Sequence, residues 1–358
     1  VKSLEKKLRK PEEIGYKGTM KTLAFLLVLL FPLSALASEI TADSYLLVEK
    51  DTFSVIAGRD IHRPLPPAST TKVMTTILAL EKLDDRDSIV PTKRVLAIPA
   101  SKLSLVPGKP YQAIDLIKGA MVESANDAAY ALGVAIAGSE ERFADLMNAK
   151  AREIGAIDSH FENASGLYAP GHYMSAYDLA LIFRYALENK KFEEIVGTKY
   201  FLFNRGTGDV KYMNHNRLLF CFSPSVGGKT GYTRVSRHCY VGAFEKDGKT
   251  YILSLLGSRN LWTDAVNILQ EIYSDVPSPR EISLARARST VSYASFAVKP
   301  ATFTAGKKYR VSTASFKTKK YKAKTAHLTK AKKNQAKKAS YSKAKKQRRA
   351  KHTRLQRT

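Results

Sequence analysis

Residues 69–83, STTKVMTTILALEKL, are apolar almost all the way round a helix. Val73, Ile77 and Leu80 form one stripe, with Met74 and Leu78 beside it. Such a helix has no face to give to solvent, so it must lie at the centre of a fold with other elements packed around it. Pro64, Pro66 and Pro67 halt the chain just before it. Ahead of them, SYLLVEKDTFSVIAGRD (44–60) predicts a hairpin: two β-rich runs around a short polar turn at Lys50 and Asp51. After the central helix, residues 111–138 read as two helices with a polar break from Glu123 to Asp127. Residues 140–154 and 175–189 are further helices. From about Tyr200 the pattern changes. VGGKTGYT, SRHCYVGAFEKDG and KTYILSLLGSRN are short β-rich runs parted by glycine and polar turns, and a last helix follows over 262–273. The order predicts an α+β fold. An antiparallel sheet is completed by both ends of the chain, with flanking helices and a helical insertion between.

Charge divides the chain further. The formal charge of +27 is not spread over the 358 residues. Residues 280–358 hold 25 Lys and Arg against one acid, Glu281, whereas residues 38–279 hold 27 against 28. The body is neutral and the basicity belongs to a low-complexity tail, which is expected to be disordered. MKTLAFLLVLLFPLSALAS, from Met20, has a positive head, an unbroken apolar run and a small-x-small site at Ala35-Leu36-Ala37. These are the parts of a secretory signal peptide. Residues 1–19 are therefore expected to lie upstream of the true start, 20–37 to be the signal, 38–279 the folded body and 280–358 the tail. The protein is expected outside the cytoplasm, in the periplasm or cell envelope. There the tail's cations would attract anionic envelope polymers or lipid headgroups, weakly and in a salt-dependent way. An exported chain whose tail carries no recognised nucleic-acid module is not expected to bind nucleic acid. Cys221 and Cys239 are too few for a disulfide framework, and one bridge or two separate thiols both fit the sequence.

Chemistry enters at the mouth of the central helix. Ser69 and Lys72 are three residues apart and so share a face. A serine hydroxyl needs a base to become a nucleophile, and a buried lysine whose pKa falls from about 10.4 toward 7–8 can be that base. Ser-x-x-Lys also arises by chance, as at Ser3/Lys6, Ser340/Lys343 and Ser342/Lys345. Taken alone, the pair could be a helix cap and a solvated lysine. In this apolar helix, however, Lys72 would be costly without a role, and two further elements follow. Ser124-Ala125-Asn126, at the break between helices, can present a hydroxyl and an amide to a cleft. Ser258-Arg259-Asn260 shows how readily that pattern recurs as a plain turn. Lys229-Thr230-Gly231 lies on a predicted strand. Glycines there admit close backbone approach, and the lysine and threonine suit a carboxylate ligand. The three in this order are far more specific than any one of them.

With these motifs, and with ESANDAAYALGVAIAGS, FENASGLYAPGHYMSAYDLALIFRYAL and NHNRLL, the chain resembles the serine D-alanyl-D-alanine carboxypeptidases, the low-molecular-mass penicillin-binding proteins, over about residues 44–273. The resemblance implies a catalytic domain over 38–279 that acts on peptidoglycan stem peptides and is inhibited by β-lactams, with no metal or organic cofactor. It implies Ser69 as nucleophile, Lys72 as its base and Ser124 as proton relay to the leaving D-alanine. Asn126 would hold the substrate amide, and Lys229 and Thr230 its terminal carboxylate. The backbone N–H groups of Ser69 and Tyr232, next to Gly231, would form an oxyanion hole. Arg259 is the nearest arginine for the carboxylate. A β-lactamase would need a deacylating glutamate in FENASGLYAPGHYMS, where only Glu162 stands and the E-x-x-L-N pattern is missing. An endopeptidase cutting wall crosslinks would share every motif. A non-catalytic envelope-binding protein would need none of them.

Overall fold

The computed structural model describes residues 39–206 and 208–285. The segment 1–19, the expected signal peptide over 20–37 and the basic tail beyond Ala285 lie outside the described residues. The expected hairpin is β1 (Ser44–Glu49) and β2 (Val55–Arg59). Three long strands come from the other end of the body: β7 (Ser225–Thr233), β8 (Arg237–Lys246) and β9 (Lys249–Ser258). They join in one five-stranded antiparallel sheet of order β2-β1-β9-β8-β7, with Ser44 of β1 opposite Leu256 of β9. Strands from both chain ends thus meet at the centre of the sheet, and β7 is left at an edge.

Between them runs the helical insertion: α1 (Lys72–Lys82), α2 (Ala113–Val122), α3 (Asn126–Ala137), α4 (Glu140–Ile154), α5 (Ala176–Leu187) and α6 (Lys190–Val196). Two small hairpins complete it. One pairs β3 (Ser88–Ile89) with β4 (Tyr111–Gln112), and the other pairs β5 (Tyr200–Asn204) with β6 (Asp209–Met213). Neither α6 nor these hairpins is among the elements expected from the sequence. α7 (Leu261–Leu269) follows β9.

Alternation along the strands separates two cores. Leu46, Val48, Val241, Ala243 and Ile252 face the insertion helices, and Leu47, Tyr240, Phe244, Leu253 and Leu255 face α7. α1 is buried on all sides from Lys72 to Ala79, as its composition demanded. Each large apolar side chain sunk there contributes about 1.5–3 kcal/mol, which makes a lysine in its first turn all the more conspicuous.

The start of that helix differs from expectation. Ala68–Thr71 form a 3₁₀ turn, and the α-helix proper begins at Lys72. A 3₁₀ turn has three residues per turn, so it eclipses positions i and i+3 and sets Ser69 directly over Lys72. The lower boundary also moves. The fold continues past Pro279 into a helical turn over 279–285. Ser278 accepts from Glu281 N–H while Glu281 Oε2 accepts from Ser278 N–H, a reciprocal cap. Ile282, fully buried, joins the α7 core. The cap and the buried side chains of Ile282 and Ala285 hold these residues in the fold although the basic composition begins at Arg280.

Candidate active site

Ser69, Ser124, Asn126, Thr230, Gly231 and Tyr232 line one cleft of about 610 Å³ at the free edge of β7. Lys72 and Lys229 lie beneath it, buried at 0% and 1% exposure. The structure therefore brings all eight predicted residues together. Ser69 is presented by the 3₁₀ turn, Ser124 by the α2–α3 break, and Thr230 and Tyr232 by the edge strand. The N–H of Ser69 lies so close to β7 that a Cβ on Gly231 would come within 2.8 Å of it. A larger residue there would push the nucleophile's turn off the strand.

Lys72 Nζ lies 2.9 Å from Ser69 Oγ, and donates to Asn126 Oδ1 at 2.7 Å and to the carbonyl of Ser165 at 2.6 Å, so the neutral amine spends its two N–H groups on those carbonyls and keeps its lone pair for the Ser69 hydroxyl. Burial holds its pKa well below the ordinary lysine value. The charge of Lys229 pushes the same way, and Asp127 pulls weakly against both. Lys229 Nζ donates to Ser124 Oγ at 2.9 Å and to the Thr230 carbonyl at 2.7 Å, and burial lowers its pKa to about 7. Two serine–lysine pairs thus face one cleft. Ser124 adopts φ +62°, a left-handed conformation that costs a non-glycine residue about 1 kcal/mol or more, and its bond to Lys229 holds it there.

Asn126 does more than line the cleft. While Oδ1 accepts from Lys72, Nδ2 donates to the carbonyls of Pro99 and Ala100, bracing the loop before Leu103. Asp127 fastens that loop from within, its carboxylate accepting from the N–H groups of Leu103 and Leu105. Glu162 pairs with His160 at 3.2 Å and is absent from the cleft wall. Cys221 and Cys239 are free thiols, and burial raises the pKa of Cys239 to about 12.

The loop that carries Ser165 is a part of the site that the motifs do not point to. Asn163 Oδ1 accepts from the N–H groups of Ser165 and Gly166, turning the chain so that the Ser165 carbonyl meets Lys72. Gly166, at φ +78°, lies against the nucleophile's turn. A Cβ there would sit 1.8 Å from the Ala68 carbonyl oxygen. The Asn-x-x-Gly spacing was the available signal. Behind the loop His172, buried, takes the N–H of Glu162 on Nδ1 at 3.2 Å, which leaves Nε2 to donate to Thr71 Oγ1 at 2.9 Å. Burial, then His160 and Lys72, lower its pKa from 6.5 to about 4. The unfolded chain therefore binds a proton that the fold rejects between pH 6.5 and 4. This part of the stability is intact above pH 6.5 and is lost as the pH falls. Between pH 7.5 and 5 the loss is about 2 kcal/mol. His172→Gln keeps one acceptor and one donor without the titration. Urea unfolding at the two pH values should find it about 2 kcal/mol less acid-sensitive than the parent, and equal sensitivity would locate the acid response elsewhere.

The chain has known relatives. Residues 32–260 match the peptidase S11 family model, described as D-alanyl-D-alanine carboxypeptidase. The chain is 36% identical over 233 residues to D-alanyl-D-alanine carboxypeptidase DacF of Bacillus subtilis, covering 63% of this chain and 59% of that protein. It is 32% identical over 235 residues to DacB2 of Mycobacterium tuberculosis, covering 63% and 80%. Among solved structures, a D-alanyl-D-alanine carboxypeptidase from Mycobacterium tuberculosis H37Rv superposes with a TM-score of 0.63 at 30% identity, covering 67% of this chain and 94% of that one. The fold is that of the serine DD-peptidases. The chain belongs to the D-alanyl-D-alanine carboxypeptidase family, peptidase S11.

Proposed function

We propose that the protein is an exported D-alanyl-D-alanine carboxypeptidase that removes the terminal D-alanine from peptidoglycan stem peptides through an acyl-enzyme on Ser69. The observation that carries this is the 2.9 Å hydrogen bond between a buried, pKa-depressed Lys72 and Ser69 Oγ. Neutral Lys72 takes the hydroxyl proton as Oγ bonds to the carbonyl carbon of the penultimate D-alanine. The carbonyl oxygen becomes an oxyanion and is met by the N–H groups of Ser69 and Tyr232. When the C–N bond breaks, the proton taken up by Lys72 passes through Ser124 Oγ to the leaving amine, and Lys72 is neutral again. Thr230 and the charge of Lys229 hold the terminal carboxylate, and Asn126 the substrate amide. Water then adds to the ester and gives a proton to Lys72, which passes it to Ser69 Oγ as the Oγ–C bond breaks and the shortened peptide leaves. A β-lactam would enter by the same attack and remain as a stable ester. The signal sequence directs the protein to the periplasm or cell envelope, and the basic tail holds it to anionic envelope polymers or lipid headgroups.

The test is D-alanine release from a peptide ending in D-Ala-D-Ala, with mass mapping of a penicillin adduct in the same preparation. D-alanine together with an adduct on the peptide that contains Ser69 is the expected result. An adduct without release would transfer the assignment to crosslinked wall fragments as substrate. The lack of both would overturn the reading.

A further inference from the structure

The cleft is larger than its chemistry at Ser69 requires, and its far wall has a consistent character. Beyond Thr230 it is lined by Arg217, His238, Arg259 and Trp262, and by Pro279 and Ser283 of the last helical turn. His215 lies in the same wall beside Glu123, at 3.5 Å. Among the described residues, no Asp or Glu lines the cleft. An anion is the ligand such a wall attracts.

Two arginines are available there, and they are not equivalent. Arg259 is exposed at the end of β9. Arg217 is half-buried in the short 3₁₀ turn Arg217–Phe220, whose neighbour Leu218 is sealed in the α7 core. That core is also where Tyr240 points, and Tyr240 is the register partner of Thr230. Cross-strand partners project to the same face of a sheet, so the Thr230 hydroxyl and the Arg217 turn share a side. His238, the register partner of Tyr232, lies against its ring at 4.7 Å, tilted by 40°, and feels the charge of Arg217. Arg217 NH1 donates to the Ser283 carbonyl at 3.2 Å. This uses one of five guanidinium N–H groups and leaves the rest of the fork for a ligand.

We propose that Arg217, set in place by the helical turn over 279–285, is the guanidinium that reads the substrate's terminal carboxylate beside Thr230. The inference rests on the DD-peptidase reading of the site. It assigns the recognition to the turn before β7 rather than to Arg259, and it makes the residues that lead into the basic tail part of the substrate-binding wall. Ile282 and Ala285 anchor that turn in the core, and Ser283 between them offers its carbonyl to Arg217.

The experiment uses the full chain and two N-acyl-D-alanyl thioesters that differ only in the leaving thiol, thioglycolate or its neutral methyl ester. The ratio of their kcat/KM values measures carboxylate recognition and cancels the folded fraction of each preparation. A charge-assisted bond of this kind should make Arg217→Ala lower the ratio about 10- to 100-fold. Arg259→Ala should change it less than about 3-fold, and Ile282→Ala, which loosens the turn, should lower it by an intermediate factor. An unchanged ratio in Arg217→Ala would mean a merely structural role and overturn the proposal. So would a loss carried wholly by Arg259→Ala. An unchanged ratio in Ile282→Ala would remove the helical turn from it. Turnover of neither thioester by the unmodified protein would overturn the DD-peptidase reading itself, and this inference with it.

Discussion

Lys72→Met is expected to slow acylation of Ser69 by about 10³-fold or more, the upper range for loss of a general base. Methionine keeps the length and apolar body of the side chain in a helix buried on every side at this point, so α1 should still pack. What disappears is the amine 2.9 Å from Ser69 Oγ. The Asn126 Oδ1 and Ser165 carbonyl acceptors also lose their donor, at about 1–3 kcal/mol each where water cannot replace it. Adduct formation with a penicillin, followed by mass, separates the effects, because Ser69 remains and a slow adduct is still allowed. In the parent protein acylation should fall toward acid pH as Lys72 takes up its proton. The residual reaction of the variant should lack that limb. Acylation within about 10-fold of the parent would mean that another group is the base.

The parts of the site that lie on one segment were legible from the sequence, and the parts that need two were not. Ser69 and Lys72 are three residues apart on one turn, and the apolar sequence around Lys72 marked it as buried before any fold was known. Gly228 to Gly231 announced a strand that something approaches closely, and Ser69 N–H is that neighbour. The Ser165 carbonyl was invisible because every residue has one. Only chain closure brings residue 165 to residue 72. Gly166 is tied in the same way to Ala68, as is His172 to Thr71. In the fold, α4 is bounded by a side-chain cap at Ser139 and a left-handed exit at Gly155. α6 is only seven residues long, and its burial depends on packing rather than on periodicity. Arg217 stood in plain view in NHNRLL, but nothing local says that a residue before β7 ends in the cleft.

Lys229→Met should weaken catalysis and strengthen the fold at the same time. The folded pKa of about 7 lies below the unfolded value of 10.5, so the unfolded chain holds the extra proton between those limits. Stability therefore rises with pH through that window, and below about pH 7 the cost of burying Lys229 is present in full. At pH 7 that cost is about 4 kcal/mol. Methionine removes it but leaves Ser124 Oγ and the Thr230 carbonyl without their donor, which returns about 2 kcal/mol. The variant should be about 2 kcal/mol more stable than the parent at pH 7. At pH 10, where the neutral lysine is nearly free of penalty, the difference should reverse sign. Catalysis moves the other way. The charge of Lys229 helps hold Lys72 deprotonated, second only to burial. Without it the acid limb of kcat/KM should shift to higher pH, and turnover at pH 7 should fall about 10²-fold through the loss of preorganised positive charge. Urea unfolding at pH 7 and 10, with pH–rate profiles of both proteins, checks the two halves separately. A limb that stays in place would show that burial alone tunes Lys72. A variant less stable at both pH values would show that Lys229 is held for its hydrogen bonds rather than strained for its charge.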